Sequence, residues 1–145
     1  MKIFEICLIC SNDREVRRDG RREPRCYARC VPEPRSVDLR GQDPVSHDEG
    51  VEDREVLVEG TRWALVQYGA GRGRADWCST PHCGCVVSGT IRYEFEDGRE
   101  PLLVAAGGAF LLPETPGHRG RNDGAEPAVL FIIDALPERS GAAPA

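Results

Sequence analysis

Apolar residues in this chain come in short runs separated by turn-forming residues, and the texture changes once, near residue 53. Beyond that point the runs are Glu55 to Val58, Trp63 to Tyr68, Cys85 to Val87, Thr90 to Phe95, Leu102 to Ala105, Ala109 to Leu112 and Ala128 to Asp134. Each has the length of a strand, and Gly60, Ser88-Gly89, Asp97-Gly98 and Gly107-Gly108 supply the turns. Alternation is clearest in TIRYEFEDG, which puts Ile91, Tyr93 and Phe95 on one face and Thr90, Arg92, Glu94 and Glu96 on the other, with Asp97-Gly98 as a hairpin signal. The pattern predicts an all-β domain. Strands recurring at this spacing suit a sandwich or a small closed barrel, and closure removes exposed sheet edges.

Before residue 54 the sequence is dense in charge, proline and glycine. Arg14, Arg17, Arg18, Arg21, Arg22 and Arg25 are followed by Asp43, Asp48, Glu49, Glu52 and Asp53. Such a stretch buries too little apolar surface to offset its ordering entropy, so residues 1–53 are expected to form a charged, flexible N-terminal arm. The barrel domain is then 54–136, and residues 137–145 are a flexible polar tail. A chain of 145 residues accommodates one such domain, with room for a core.

Charge and cysteine content narrow the function. With 24 acidic and 19 basic residues the net charge is −5, which argues against a nucleic-acid surface, since phosphate contact needs a basic face. No apolar run approaches a membrane span, and the first nine residues lack a small-residue cleavage site, so the expectation is a soluble cytoplasmic protein with no membrane partner. Seven cysteines are an odd number, and their clustering suits reduced thiols or metal ligands better than a disulfide framework. No nucleophile elbow, P-loop or dinucleotide fingerprint is present, and GAGRGR from Gly69 to Arg74 is expected as a loop.

The chemistry concentrates in two stretches. GGAFLLPETPGHRGRN places Pro113 six residues after Gly107, His118 five beyond that and Asn122 four further. This resembles the second motif of the cupin family, departing from it at Thr115, where the family has glycine. The stretch DWCSTPHCGCVVSG resembles an altered first cupin motif. His82, seven residues before Gly89, stands where the family has glutamate, and Asp76 and Cys78 stand in place of its histidine pair. The resemblance covers about residues 55 to 135 and extends to small single-domain cupins with a Trp-Cys and a Pro-His before the glycine turn.

The resemblance implies a single cupin jelly-roll barrel with its site in the barrel mouth, and pairing into a homodimer. Asp76 and Cys78 at i, i+2 share a face of a strand, with His82 and His118 approaching from neighbouring strands if the family layout holds. These donors suit Zn²⁺ or Fe²⁺ and not Mg²⁺ or Ca²⁺. Four ligands would close a tetrahedral site. Cys78, His82 and His118 alone would leave a position open for a small organic substrate, with Asp76 in the second shell or acting as general base. Oxygenase, isomerase, cyclase or lyase chemistry would each be served. A second reading stays open beside this one: a metal-free small-molecule-binding sensor or accessory barrel, its pocket lined by Trp77, Tyr93 and the two histidines. Cys83 and Cys85 are expected on one side of a strand as inert core thiols. Cys7, Cys10, Cys26 and Cys30 are spaced either as a structural zinc site or as incidental thiols.

Overall fold

The structure, a computed structural model, describes residues 33–135. The chain divides into two units between Arg35 and Ser36, and every described strand belongs to the second. Nine strands follow one another: β1 Val45–Asp48, β2 Val51–Val58, β3 Thr61–Tyr68, β4 His82–Ser88, β5 Thr90–Phe95, β6 Leu102–Ala105, β7 Ala109–Leu112, β8 His118–Arg121 and β9 Ala128–Ala135. They form a six-stranded sheet in the order β1-β2-β3-β9-β4-β7 and a three-stranded sheet in the order β6-β5-β8, with every pairing antiparallel. The domain is all-β, as the run pattern predicted. Among the described residues no helix is long and apolar enough to cross a membrane.

Turn chemistry sets the register. Val58 pairs with Thr61 across a two-residue loop in which Glu59 and Gly60 both take positive φ, of 49° and 75°, a combination whose twist matches that of the flanking strands. The Asp97-Gly98 signal closes the β5–β6 connection, where the Gly98 N–H donates to Phe95 O at 3.0 Å.

The inward positions of the two sheets meet in a core of Val51, Ala64, Val66, Tyr68, Val86, Ile91, Tyr93, Val104, Phe110, Leu112, Ala128, Leu130 and Ile132, with Phe95 packed against it. Period-two alternation explains the set: Ile91, Tyr93 and Phe95 come from one face of β5, and Ala128, Leu130 and Ile132 from one face of β9. One row breaks the apolar rule. The register places Arg62 of β3 opposite Asp134 of β9, and Asp134 in turn opposite His82 of β4. Polar groups thus cross the large sheet at one end of the interior.

The sheet begins earlier than expected. β1 and the first residues of β2 lie within the stretch predicted as an arm, because Val51 is fully buried and Asp53, at 3% exposure, is bonded by both Arg62 and Arg74. Two residues in that charged run are therefore interior positions, which the local composition conceals. The arginine block from Arg14 to Arg25, the four cysteines Cys7, Cys10, Cys26 and Cys30, and the tail from 137 lie outside the described residues.

Candidate metal centre

The site forms where a loop runs beside β8. Residues 72–78 extend the smaller sheet without making a continuous strand: the Asn122 N–H donates to Arg72 O at 2.8 Å and the Arg74 N–H to Gly120 O at 2.9 Å. Cys78 and His118 then exchange both backbone bonds, at 2.7 and 2.9 Å. Residues that exchange both bonds stand directly opposite with side chains on one face, so the Cys78 thiol and the His118 imidazole both point inward. His82, at the start of β4, reaches them from the other sheet.

Cys78 Sγ lies 3.3 Å from His82 Nε2, the two imidazole rings are 5.0 Å apart at 77°, and one donor atom from each of the three residues falls within 4.8 Å of the others. Ligand atoms around one tetrahedral zinc stand roughly 3.3–3.6 Å apart, given Zn–N and Zn–S lengths of about 2.0 and 2.3 Å. The Cys78–His82 pair already has that separation. Both ring nitrogens of His118 and Nδ1 of His82 are buried without a hydrogen-bond partner. Orphaned polar atoms of this kind are rare in a folded interior, and here they belong to residue types that ligate transition metals.

Electrostatics keep the donors available. Burial, reinforced by the positive charges of a protonated His118, Arg62 and Arg74, pushes His82 down to about 4, and burial lowers His118 as well. Both imidazoles are neutral near pH 7, the form that binds a metal. His82 Nδ1 faces Asp134 Oδ1 at 3.9 Å, beyond hydrogen-bond length. Asp134 is itself held by Arg62, whose Nη1 donates to Oδ1 at 3.0 Å. Arg62 also bonds Asp53 and Glu55, and Arg74 bonds Asp53 and Asp48.

These groups line a cavity of about 460 Å³, within the range of small-molecule pockets. Its floor is Val66, Ile132, Gly120, Tyr68 and Tyr93. Trp77 stands at its edge, 38% exposed, with the Arg119 guanidinium stacked 4.3 Å from its ring centroid. Asn122, the last residue of the motif, lies outside the cavity lining and closes the loop behind it: its side-chain amide donates to Tyr68 O, Gly69 O and Glu126 O, and its Oδ1 accepts the Gly124 N–H.

The structure thus brings Cys78, His82 and His118 together and leaves Asp76 apart from them. Asp76 lines the cavity from an exposed position in a bend, not from a regular strand, because the Ala75 N–H is drawn away to Asp48 Oδ1 at 3.2 Å. Cys83 and Cys85 share a side of β4, but it is the outer one, opposite Leu111 and Ala109 of β7, and both are half-buried instead of lying in the core. The interior ion network of Asp53, Arg62, Arg74 and Asp134 escaped the sequence reading. Its signal was parity: Arg62 alternates in phase with Ala64 and Val66, and Asp134 with Leu130 and Ile132, so both were on the inward face.

No family model matches this chain, nor does any curated protein. Solved structures do. An RmlC-like cupin from Shewanella frigidimarina is 13% identical with a TM-score of 0.57, over 71% of this chain and 91% of that one. KdgF from a Halomonas species is 18% identical with a TM-score of 0.53, over 67% and 89%. A protein described as a sugar phosphate isomerase from a cupin superfamily, from Silicibacter pomeroyi, is 13% identical with a TM-score of 0.56, over 71% and 76%. At such identities the likeness is one of fold, and the fold is the cupin barrel that the motif from Gly107 to Asn122 implied.

Proposed function

We propose that this cupin barrel binds one divalent transition ion, Zn²⁺ or Fe²⁺, through Cys78, His82 and His118, and holds a small organic substrate beside it. The observation that carries this reading is the convergence of three donor residues from two sheets within 4.8 Å, with three of their ring nitrogens lacking any other partner. One thiolate and two imidazoles are soft-to-borderline donors, and three protein ligands leave room for a fourth. When bound, such an ion supplies Lewis acidity, which serves isomerase, cyclase or lyase chemistry and, for iron, oxygenation.

The remaining roles fall to the chain's own side chains. Asp134 stands 3.9 Å from His82 Nδ1 and is itself fixed by Arg62. Trp77 and Arg119 border the mouth, and Asp76 at the rim is placed to accept a proton from a ligand in the cavity. A phosphorylated substrate, such as the name of the Silicibacter neighbour describes for that protein, suits this cavity poorly. Its cations are already paired: Arg62 with three carboxylates, Arg74 with two and Arg119 with Glu94. The homodimer expected from the resemblance is retained as a proposal. It is supported by the outer face of the large sheet, where Trp63 packs edge-on to Phe131 and Leu111 is 74% exposed.

The test is elemental analysis of the full chain purified without an affinity tag, beside His118→Ala and Cys78→Ser. About one equivalent of zinc or iron in the natural chain, falling below roughly a tenth in both variants, is expected for a three-ligand site. Metal retained in both variants would show the ligands to be wrong. Absence of metal from the natural chain would leave the metal-free binding pocket as the function.

A further inference from the structure

Tyr93 is buried to 3% exposure in the floor of the cavity, and its hydroxyl has no hydrogen-bond partner. Its place follows from register. Tyr93 stands opposite Gly120 of β8, two residues along the same face from His118, whose ring it meets edge-on at 6.3 Å. Phe110 packs against the ring at 5.1 Å, fixing it from the apolar side. Gly120 lets both tyrosines pack directly on its backbone: a Cβ there would come within 2.8 Å of Tyr68 Oη and 3.2 Å of Tyr93 Cε1.

A buried hydroxyl without a partner destabilises the protein that carries it, so this one calls for a partner that arrives from outside. Resting on the metal-site reading above, we propose that Tyr93 is the hydrogen-bond donor that positions a ligand: its hydroxyl donates to the accepting atom of a small anionic ligand, a carboxylate oxygen or an azide nitrogen, presented beside Cys78, His82 and His118. A phenol keeps its proton at neutral pH, so the Tyr93 hydroxyl is available as a hydrogen-bond donor. Val66 and Ile132 supply the apolar part of the floor, and Tyr68 and His118 stand beside Tyr93, so the hydroxyl adds a donor to a mixed surface.

The experiment uses the full chain and its Tyr93→Phe variant, loaded with Co²⁺ as a spectroscopic ion and titrated with azide as a small accepting ligand, alongside thermal melts of both metal-free proteins. The expected result is that Tyr93→Phe takes up cobalt with unchanged affinity, binds azide roughly five- to tenfold more weakly, and melts no lower than the natural protein in the metal-free state. A structural role for the hydroxyl would instead lower the metal-free melting temperature. Unchanged azide affinity, a lowered metal-free melt, or cobalt uptake without any azide binding would each overturn the proposal. Failure of both proteins to take up cobalt would refute the metal site itself, and the metal-free melts would still show whether the hydroxyl is without a partner.

Discussion

Replacing Arg62 with methionine probes the ion network that borders the site. Arg62 binds Asp53 and Asp134, whose side chains are 4% and 8% exposed. Asp53 keeps a second cation, Arg74, at 2.5 Å, whereas Asp134 has no other cation among its described ion pairs apart from a histidine that is neutral near pH 7. Breaking a buried pair by removing one partner costs about 3–5 kcal/mol, because a charge is left without compensation. The Arg62 side chain is 19% exposed, so water screens part of the loss, and the lower end of that range, about 3 kcal/mol, is the better figure. At 4–8 °C per kcal/mol for a domain of this size, the melting temperature should drop by roughly 12–24 °C.

Asp134→Asn in the same background removes the stranded charge and should restore about half of the loss. The sign of the pH dependence follows from Asp134. Burial holds its carboxyl above the unfolded value of 3.8, so its contribution to stability is fully present below that value and is lost as pH rises through the folded one. Losing Arg62 moves the folded value higher still. The deficit of Arg62→Met should therefore be large at about pH 8 and smaller at about pH 5. Denaturant melts of the two single variants and the double variant at both pH values supply the data. Strictly additive losses, or a deficit independent of pH, would refute the account of an uncompensated buried carboxylate.

Asn122→Ala should cost about 2–3 kcal/mol in a denaturant melt, since it leaves three carbonyls and one N–H around residues 68–69 and 122–126 without the partner that now serves them. Amide exchange should accelerate at Gly124 first, and an unchanged rate there would show that water replaces the side chain at no cost. If the homodimer proposed above forms through the outer sheet face, the natural chain should sediment as a dimer and Leu111→Glu as a monomer in analytical ultracentrifugation, with metal content unchanged. An unchanged mass distribution would retire that face as the contact.

Strands with alternating apolar residues and clear turns were legible: β5, β6 and β7 have the bounds that the runs Thr90 to Phe95, Leu102 to Ala105 and Ala109 to Leu112 predicted. β8 was not, because its inward residues are His118 and Gly120 and its outward ones are arginines, leaving no apolar face to read. The histidine and glycine that line the cavity took the places that apolar residues would have held. β1 and the start of β2 were hidden for a related reason, an inward Asp53 that is bonded by arginines nine and 21 residues further along the chain. For the site, motif spacing identified Cys78, His82 and His118. The support behind them, Asp134 and Arg62, lies 72 residues apart in sequence and meets only through the pairing of β3 with β9.

The three donors do not share a wall. Cys78 and His118 belong to the smaller sheet and His82 to the larger, so an ion gripped by all three is a strut across the unsealed end of the barrel. At a free-ion concentration a thousandfold above the dissociation constant, mass action alone adds about 4 kcal/mol to the folded state. If the proposed ion is bound, its removal should make this end, with its unpartnered imidazoles, the first to open, and limited proteolysis within residues 72–78 should then be faster for the metal-free protein than for the metal-loaded one.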